Sequence, residues 1–424
     1  MLVVNVNGEK RCWRADKLGH LGSSIFAEVG GWKAEARRNG RDVIDLSIGS
    51  PDLGPSEEIR RALAESALRE DSYSYPGTSG SLAFREAAAD WMQHRFGVRL
   101  DPREEIVSLM GSQDGLSHLA QAVCNPGDLA IVPNPGYPIY TGALALAGVR
   151  RWLLPLREEN GFLPNLASIP EEVWREAKFI LLNIPGNPAS ARADLAFFEQ
   201  LIAYARRYGV LVVHDLAYSE MGFDGYRPIS IFQAEGALEY AVEFHSFSKS
   251  FNMAGCRIGF LAGNREAVGA LRELKENIDF GVFEPVQAAA VTALRQAMAA
   301  GDGVGEGDGA GTGGAGEGVG RLYERRRDLL IEALAREGWA VPKPAATMFT
   351  WTRLPEGFRH LSSREFARGL LAATGVAVIP GDAFGSEGEG YVRIALVGDD
   401  ERLLEAARRI GGYLRENADM LAGR

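Results

Sequence analysis

Residues 209–215, GVLVVHD, form an apolar run that ends on the carboxylate of Asp215, with Tyr218 three residues further on. Such a run is typical of a buried strand. A second run, KFILLNIPGNP (178–188), repeats the order of strand and turn and places Asn187 between a glycine and a proline. In doubly wound sheets, ligands bind beyond the carboxyl ends of parallel strands. Asp215 and Asn187 are therefore candidate site residues, although taken alone Asp215 could equally cap the following segment and Asn187 could be an ordinary turn residue.

A third run, SFSKSFNMAGCRIGF (246–260), contains Lys249 and, eight positions later, Arg257. An unperturbed lysine has a pKa of about 10.4 and is a poor nucleophile at neutral pH, so a catalytic lysine needs nearby positive charge or desolvation. Arg257 could supply that charge and bind a phosphate, with hydroxyl donors from Ser246 and Ser248. The pattern points to pyridoxal phosphate (PLP), with Asp215 as the carboxylate on its pyridine nitrogen. A solvated surface lysine is the alternative for this run taken alone.

The segment EEIVSLMGSQDGLSHLAQAV (104–123) predicts a strand, a glycine turn and an amphipathic helix. Because a helix N-terminus favours anions, Ser112 and Gln113 are candidate phosphate contacts, although the pattern alone marks only a capped helix. Arg393, in YVRIAL (391–396), lies in the middle of a predicted strand, where a charge needs a partner. That partner is either a substrate carboxylate, which suits the bidentate geometry of arginine, or a structural acid.

Eight motifs in one order resemble those of the fold-type I, class I/II PLP-dependent aminotransferases, and they span nearly the whole chain. They are DLSIGSPD (45–52), YPGTSGSLAFREA (75–87), GSQDGLSHLA (111–120), NPGDLAIVPNPGYPIY (125–140), NIPGNP (183–188), VVHDLAYSEMGFDGY (212–226), EFHSFSKSFNMAGCRIGF (243–260) and GEGYVRIAL (388–396). Four stretches, including NIDFGVF (277–283), are most similar to the LL-diaminopimelate aminotransferase branch and its alanine- and broad-specificity relatives. The resemblance implies an α/β fold in which helices flank a mainly parallel seven-stranded sheet in a large domain, with a smaller α/β domain beside it.

The resemblance also implies a role for each candidate residue. Lys249 would bond to PLP and carry a proton between the substrate carbon and the cofactor. Asp215 would hold the pyridinium proton, while Tyr218 and Asn187 would hydrogen-bond the phenolic oxygen of PLP. Tyr137 would stack on the cofactor ring, a use that suits a broad apolar side chain with a polar tip. Its alternative is a half-buried turn tyrosine.

Phosphate and substrate contacts follow from the same resemblance. The phosphate would be bound by Ser112, Gln113, Ser246, Arg257 and Tyr75, the last reaching it from the neighbouring subunit of a homodimer. Tyr75 stands five residues before Gly80, and Arg85 five after, which is the spacing of the family's shared-site loop. The α-carboxylate of the substrate would be bound by Arg393, the backbone at Gly49 and Asn187.

Composition agrees with a soluble enzyme. The net charge of −10 argues against nonspecific nucleic-acid binding, which depends on basic surface. Cys12, Cys124 and Cys256 show no paired spacing and the six histidines no metal-ligand spacing, so we expect neither a disulfide framework nor a metal site. His214 and His245 are expected to brace strand ends. No signal peptide and no long apolar run is evident, and we predict a cytoplasmic protein without membrane contact.

Alternating strand and helix patterns predict the domain organisation. Residues 45–290 would form the large PLP-binding domain, residues 1–44 an N-terminal arm and part of the small domain, and residues 321–424 the remainder of the small domain. Between them, GDGVGEGDGAGTGGAGEGVG (301–320) is glycine-rich and lacks apolar periodicity. We predict that this segment is a disordered, tolerated surface insert, with a hinge or lid as the alternative.

The predicted activity is transfer of an amino group from an amino acid to a 2-oxo acid in two half-reactions. The favoured substrates are LL-2,6-diaminopimelate and 2-oxoglutarate, as in lysine biosynthesis, with an alanine or broad specificity as the alternative. A lyase of the same fold, cleaving carbon–sulfur or carbon–carbon bonds, would use the same lysine and carboxylate. A non-catalytic PLP-sensing module is a further alternative, although no DNA-binding segment is evident.

Overall fold

The computed structural model describes residues 13–21, 25–300 and 317–422 of the chain. The strands are β1 (Ile44–Asp45), β2 (Ile106–Leu109), β3 (Leu129–Asn134), β4 (Arg150–Pro155), β5 (Ala177–Asn183), β6 (Leu211–Asp215), β7 (Ala241–Ser246), β8 (Gly259–Gly263), β9 (Phe349–Arg353), β10 (Val376–Ala377), β11 (Ile379–Pro380) and β12 (Tyr391–Ala395).

Helices alternate with these strands along the chain. They are α1 (Ile25–Arg38), α2 (Glu57–Ala67), α3 (Leu82–Phe96), α4 (Ser112–Val123), α5 (Pro138–Ala147), α6 (Glu171–Glu176), α7 (Leu195–Tyr208), α8 (Ala237–Tyr240), α9 (Phe247–Ser250), α10 (Arg265–Glu276), α11 (Glu284–Ala299), α12 (Glu317–Arg336), α13 (Ser363–Thr374) and α14 (Asp400–Ala422). No helix in these ranges is long and apolar enough to cross a lipid bilayer.

Seven strands form the central sheet in the order β2-β8-β7-β6-β5-β3-β4. β8 is antiparallel to both of its neighbours, and every other adjacent pair is parallel. The carboxyl ends of β5, β6 and β7 therefore meet at one edge of the sheet. The prediction of a mainly parallel seven-stranded sheet is confirmed.

Successive side chains of one strand enter two different hydrophobic layers. In β5, Phe179 and Leu181 pack with residues of α4, α5 and α10, whereas Ile180 and Leu182 pack with residues of α3, α7 and α11. Helices thus cover both faces of the sheet, and strands buried on both faces have continuous apolar sequences instead of alternating ones. This explains why the runs around Asp215 and Asn187 could be recognised as strands.

A second core lies beside the first. β9, β11 and β12 form an antiparallel sheet, β1 pairs with β10, and α12, α13 and α14 pack around them. The backbone N–H of Ala395 donates to the oxygen of Leu46 at 2.8 Å. The segment that follows α1 is therefore part of this smaller unit before the chain enters the large one.

The predicted extent of the glycine-rich insert is wrong at its C-terminal end. α12 begins at Glu317, so residues 317–320 are helical, and Val319 is buried. A Cβ atom at Gly320 would lie 3.0 Å from the backbone oxygen of Glu220, so glycine permits a close approach between the two segments. Residues 301–316 lie outside the described residues. At the other boundary, α11 packs on α2 and α3, and Leu294 belongs to the large core beyond residue 290, where we placed its end.

Candidate active site

A cavity of about 300 Å³ lies at the carboxyl ends of β5, β6 and β7. All the predicted site residues except Tyr75 line it, namely Gly49, Ser112, Gln113, Tyr137, Asn187, Asp215, Tyr218, Ser246, Lys249, Arg257 and Arg393. The fold therefore brings together side chains from both cores. These residues span more than three hundred positions of sequence.

Lys249 projects into the cavity from α9, directly after β7. Its Nζ donates a hydrogen bond to the backbone oxygen of Gly49. Burial, followed by the charges of Arg393 and Arg257, lowers the pKa of Lys249 to about 8. A much larger fraction of this amine is neutral near pH 7 than of an exposed lysine, and it is correspondingly more nucleophilic.

Asp215 ends β6 with its carboxylate buried. Its Oδ2 accepts a hydrogen bond of 2.7 Å from the hydroxyl of Tyr140, whereas its Oδ1 is buried without a hydrogen-bond partner in the described part of the chain. Burial raises the pKa of Asp215, and the Tyr140 hydrogen bond opposes that rise. A buried oxygen without a donor is costly, so this atom fits an N–H group of a ligand.

A chain of hydrogen bonds connects Asp215 to Arg393. Asn183 donates to the backbone oxygen of Asp215 at 2.7 Å and accepts from the backbone N–H of Asn187 at 2.8 Å. The Oδ1 of Asn187 accepts from Arg393 at 2.8 Å, and Arg393 donates a second bond of 2.9 Å to the oxygen of Ser47. The chain fixes the Asn187 side chain at the cavity wall.

Arg393 is a buried guanidinium in the middle of β12, as the sequence predicts. No carboxylate of residues 13–21, 25–300 or 317–422 forms an ion pair with it, and its Nε lacks a hydrogen-bond partner there. Its carbon Cζ lies 4.1 Å from the ring centre of Phe349 and 5.1 Å from that of Phe384. Burial lowers the pKa of Arg393 to about 10. The structural-acid alternative for Arg393 thus fails in this part of the chain, and the side chain can accept a ligand carboxylate.

The start of α4 and Arg257 form another part of the cavity wall. α4 begins after Gly111, which has a φ of +76° and offers no side-chain cap, so the backbone N–H groups of Ser112 and Gln113 are suited to an anion. The guanidinium of Arg257 lies against Gly111, with Nη2 2.6 Å from the position that a Cβ atom would take. Ser112 and Ser246 complete the lining of this part.

Tyr137 and Tyr218 also line the cavity. The Tyr137 hydroxyl donates to Oε1 of Gln113 at 3.0 Å. The Tyr218 ring is buried against Phe349, with ring centres 6.0 Å apart, and burial raises the pKa of its hydroxyl. Each of the two residues thus contributes an aromatic side chain with a hydroxyl group to the cavity lining.

Tyr75 lies outside the cavity, with 89% of its surface exposed, and its ring packs on Phe280 at a centre distance of 5.5 Å. Tyr140, Asn183 and Phe26 are among the cavity residues that sequence reasoning missed. Asn183 is the last residue of β5 and is the register partner of Asp215, a signal that was available once the two strands were assigned. Tyr140 stands one helical turn after Tyr137, whereas nothing in the sequence marks Phe26.

The residue set fits PLP, a group that carries an aldehyde, a pyridine nitrogen and a phosphate. Lys249 offers an amine, Asp215 an orphaned buried oxygen and the α4 terminus with Arg257 an anion site. No cluster of potential metal ligands occurs within the described ranges. His214 and His245 instead bind the buried carboxylate of Glu243, each at 2.8 Å, and so brace β6 and β7.

Fold and site together define a class of protein, and comparison with known proteins agrees. The family described as aminotransferase class I and II matches residues 41–410, so the chain belongs to this family and is an aminotransferase.

Individual relatives cover nearly the whole chain. It is similar to the LL-diaminopimelate aminotransferase of Syntrophobacter fumaroxidans, with 44% identity over 94% of this chain and 98% of the relative. Among solved structures, substrate-bound BacF from Bacillus subtilis has a TM-score of 0.87 and 34% identity, covering 95% of this chain and 98% of BacF. A probable N-succinyldiaminopimelate aminotransferase from Thermus thermophilus has a TM-score of 0.83 and 42% identity, covering 92% of this chain and all of that one.

Proposed function

We propose that this chain is a PLP-dependent aminotransferase whose amino donor is LL-2,6-diaminopimelate and whose acceptor is 2-oxoglutarate, as in lysine biosynthesis. The observation that carries the cofactor proposal is one cavity lined by the Lys249 amine, by Asp215 with an Oδ1 that has no hydrogen-bond partner among the described residues, and by Arg393, which has no ion-pair partner among them. The diaminopimelate substrate rests on the relatives that carry that name, at 41–44% identity. A cytoplasmic location is part of the same proposal.

Each site residue has a distinct task in this proposal. When bound, PLP supplies an electron sink for the negative charge that develops at the substrate carbon. Lys249 would hold the cofactor through Nζ and would move a proton at the substrate carbon, for which a pKa of about 8 is suited. Asp215 would keep a proton on the pyridine nitrogen through Oδ1, and Tyr218 and Asn187 would hydrogen-bond the phenolic oxygen. Tyr137 would stack on the ring.

Two parts of the cavity wall orient the ligands. Arg393 binds the substrate carboxylate, with Gly49 and Asn187 beside it, and the phosphate is bound by Ser112, Gln113, Ser246 and Arg257. Because Arg393 is already held by Ser47 and Asn187, little side-chain entropy remains to be lost on binding. Apolar rings around Arg393 exclude water and strengthen its attraction to the carboxylate.

A homodimer with shared sites completes the proposal. Tyr73, Tyr75, Ile278, Phe280 and Phe283 form an aromatic patch in which each side chain is at least 44% exposed. Two ring pairs hold it together: Tyr73 with Phe283 at 5.6 Å and Tyr75 with Phe280 at 5.5 Å. Contiguous apolar surface of this kind marks association sites, and docking a second copy would bring Tyr75 of the partner subunit to the phosphate.

Single-turnover spectroscopy tests the function. The PLP-loaded chain should show a change of visible absorbance with LL-diaminopimelate and should release at most about one equivalent of the corresponding oxo acid per site before 2-oxoglutarate is added. Lys249→Ala should lose the response while retaining some PLP through the phosphate contacts. An absorbance that no amino acid alters would exclude the aminotransferase and favour a sensing module.

Two further additions separate the alternatives. N-Succinyl-LL-diaminopimelate differs from LL-diaminopimelate only in having its distal amine acylated, so a preference for it would overturn the proposed substrate and leave the reaction class intact. Pyruvate formed from cystathionine without an oxo-acid acceptor would favour a carbon–sulfur lyase.

A further inference from the structure

Lys275, near the end of α10, is a fully buried lysine that the proposed mechanism does not use. Its Nζ donates hydrogen bonds of 2.6 Å to Oδ2 of Asp114 and 2.6 Å to Oδ2 of Asp279. Both carboxylates are buried, with 6% of each side chain exposed. A fully buried charged side chain is stable only when charged or hydrogen-bonding partners are fixed around it. We call these three residues the Lys275 triad.

Asp114 lies in the first turn of α4, the helix whose N-terminus faces the cavity. Its Oδ2 also accepts the backbone N–H of Met110 at 3.0 Å, and its Oδ1 is bonded to Nδ1 of His118 at 2.9 Å. The carboxylate therefore lies across the turn that leads to Ser112. Although burial acts to raise the pKa of Asp114, hydrogen bonds from His118 and Lys275 lower it to about 2, and the group stays charged.

A charged carboxylate in the first turn has two opposed effects on this site. It orders the turn at Gly111 through its bond to Met110, and its oxygens do not cap the N–H groups of Ser112 and Gln113, which line the cavity. Its negative charge nevertheless competes with any anion for the positive end of the helix. A phosphate close to an uncancelled carboxylate would be repelled, most strongly in a partly desolvated cavity.

We propose that Lys275 is a positioning residue for phosphate binding: its charge, shared between Asp114 and Asp279, offsets that of Asp114, so that the carboxylate shapes the α4 turn while repelling the phosphate of the cofactor less. The proposal rests on the function proposed above and adds a residue that does not line the cavity. Asp279 fixes the amine from the opposite side and is itself held by the backbone N–H of Gly281 at 2.7 Å.

Calorimetric titration of the full PLP-free chain tests this role with two ligands that differ only in the phosphate. Pyridoxamine 5′-phosphate and pyridoxamine need no covalent bond to Lys249, so their affinities report binding alone. Lys275→Met should weaken the phosphate ligand by about tenfold more than pyridoxamine. Adding Asp114→Asn to Lys275→Met removes the uncancelled charge in the first turn of α4, leaves Asp279 in place, and should restore the affinity ratio of the wild-type chain. The proposal is overturned if Lys275→Met weakens the binding of both ligands equally, or if Asp114→Asn does not restore the ratio of the two affinities.

Lys33→Met is a matched control, because Lys33 is a partly buried lysine paired with Asp45 at 2.6 Å in the smaller unit. It should leave the affinity ratio unchanged. If Lys275→Met does not fold, Asp114→Asn alone is the test. The ratio of the affinities for pyridoxamine 5′-phosphate and pyridoxamine should stay the same or change in favour of the phosphate ligand. A selective loss of affinity for the phosphate ligand overturns the proposal. A wild-type chain that binds neither ligand would overturn the proposed function and this inference with it, whereas tight wild-type binding with unselective variants overturns only the inference.

Discussion

At the scale of single residues, the lowered pKa of Lys249 makes a prediction about pH. Only the neutral amine attacks PLP, so covalent attachment to the PLP-free chain should speed up with pH and level off above about 8, rather than above the 10.4 of an exposed lysine. Stopped-flow absorbance measures the rate. Because Arg393 lowers the pKa through its like charge, Arg393→Gln should move the midpoint to higher pH. A rate still climbing steeply at about pH 10 in the wild-type chain contradicts the argument.

The hydrogen bond between Tyr140 and Asp215 makes a second prediction. Tyr140→Phe removes a hydroxyl donor from a buried carboxylate oxygen and should lower the free energy of unfolding by about 1–3 kcal/mol. Tyr137→Phe is the control: it removes a hydroxyl of the same kind whose acceptor, Gln113, is neutral and solvent-accessible, and should cost less than about 1 kcal/mol. Denaturant unfolding of both variants measures the difference. If the two variants lose the same free energy of unfolding, the hydrogen bond to Asp215 contributes no more to stability than the one to Gln113.

The sequence predicted which single residues are candidates for the site better than it predicted which residues contact them in the fold. Asp215 and Asn187 were found because each follows an apolar run, and Lys249 because the run around it has a charge and hydroxyls at close spacing. Tyr140 could not be found in this way, since it meets Asp215 only where α5 packs over the end of β6, 75 residues away along the chain. The absence of an acid beside Arg393 in the described part of the chain is likewise a property of packing.

At the scale of secondary-structure elements, the turn into α4 makes a third prediction. Gly111 and Gly97 both have positive φ, +76° and +71°, and both flank a helix. Gly97→Ala should cost about 1–2 kcal/mol of stability, because alanine is strained in the left-handed region, where Gly97 has a ψ of 16°. Gly111→Ala should cost about 1–3 kcal/mol, because Gly111, with a ψ of 154°, lies in a region that is nearly exclusive to glycine. Only at Gly111 would the new Cβ meet Arg257, at 2.6 Å, whereas nothing lies within 4 Å of Gly97.

Gly111→Ala should therefore also displace the guanidinium and weaken PLP binding by about tenfold, while Gly97→Ala leaves it unchanged. Fluorescence titration with PLP and thermal unfolding separate the two effects. If the two variants bind PLP alike, Arg257 does not need its contact with Gly111.

Elements were predictable where a local pattern dominates. β5, β6 and β12 have apolar or alternating sequences, and α12 has a long amphipathic pattern. The start of α12 was misplaced because Gly318 and Gly320 have poor helix propensity, and composition alone assigned them to the insert. Tertiary packing overrides that preference, since Val319 is buried and Gly320 lies against Glu220. A strand of two residues, such as β1, is too short to show the alternation of apolar and polar side chains that predicts a strand. Its formation depends on the strand that pairs with it.

At the scale of the whole molecule, the site depends on a segment that connects the two cores. Ser47 and Gly49 accept hydrogen bonds from Arg393 and Lys249, and Asp52 receives two from the guanidinium of Arg326, the shorter 2.7 Å. Arg393 of the smaller unit and Lys249 of the larger one are thus held by a single short stretch of chain. An isolated large domain would lack Arg393 and this stretch, and we expect it to lose the proposed substrate contacts while keeping the proposed phosphate contacts.

The assignment of Tyr75 to the partner's site makes the last prediction. We expect Tyr75→Ala and Lys249→Ala each to have little activity, because one lacks a phosphate contact and the other the amine. In a mixed dimer, a subunit with intact Lys249 receives the intact Tyr75 of the partner subunit and forms one complete site. Half of the dimers are mixed when equal amounts of the two variants reassociate at random, so about a quarter of the wild-type sites should be restored.

Unfolding, mixing and refolding the two variants, followed by a turnover assay, measures the recovery. Gel filtration of Phe280→Lys provides the matched test of the interface, since a charge in the aromatic patch should yield monomers with weakened PLP binding. Tyr75 acting within its own subunit gives the opposite result: the mixed dimer then contains no complete site, and mixing restores nothing. A Lys249→Ala chain that also carries Tyr75→Ala is the control, and mixing it with the Tyr75→Ala chain should restore no activity. Recovery with the Lys249→Ala chain alone would then show that the effect depends on pairing an intact Lys249 with an intact Tyr75 of the partner subunit.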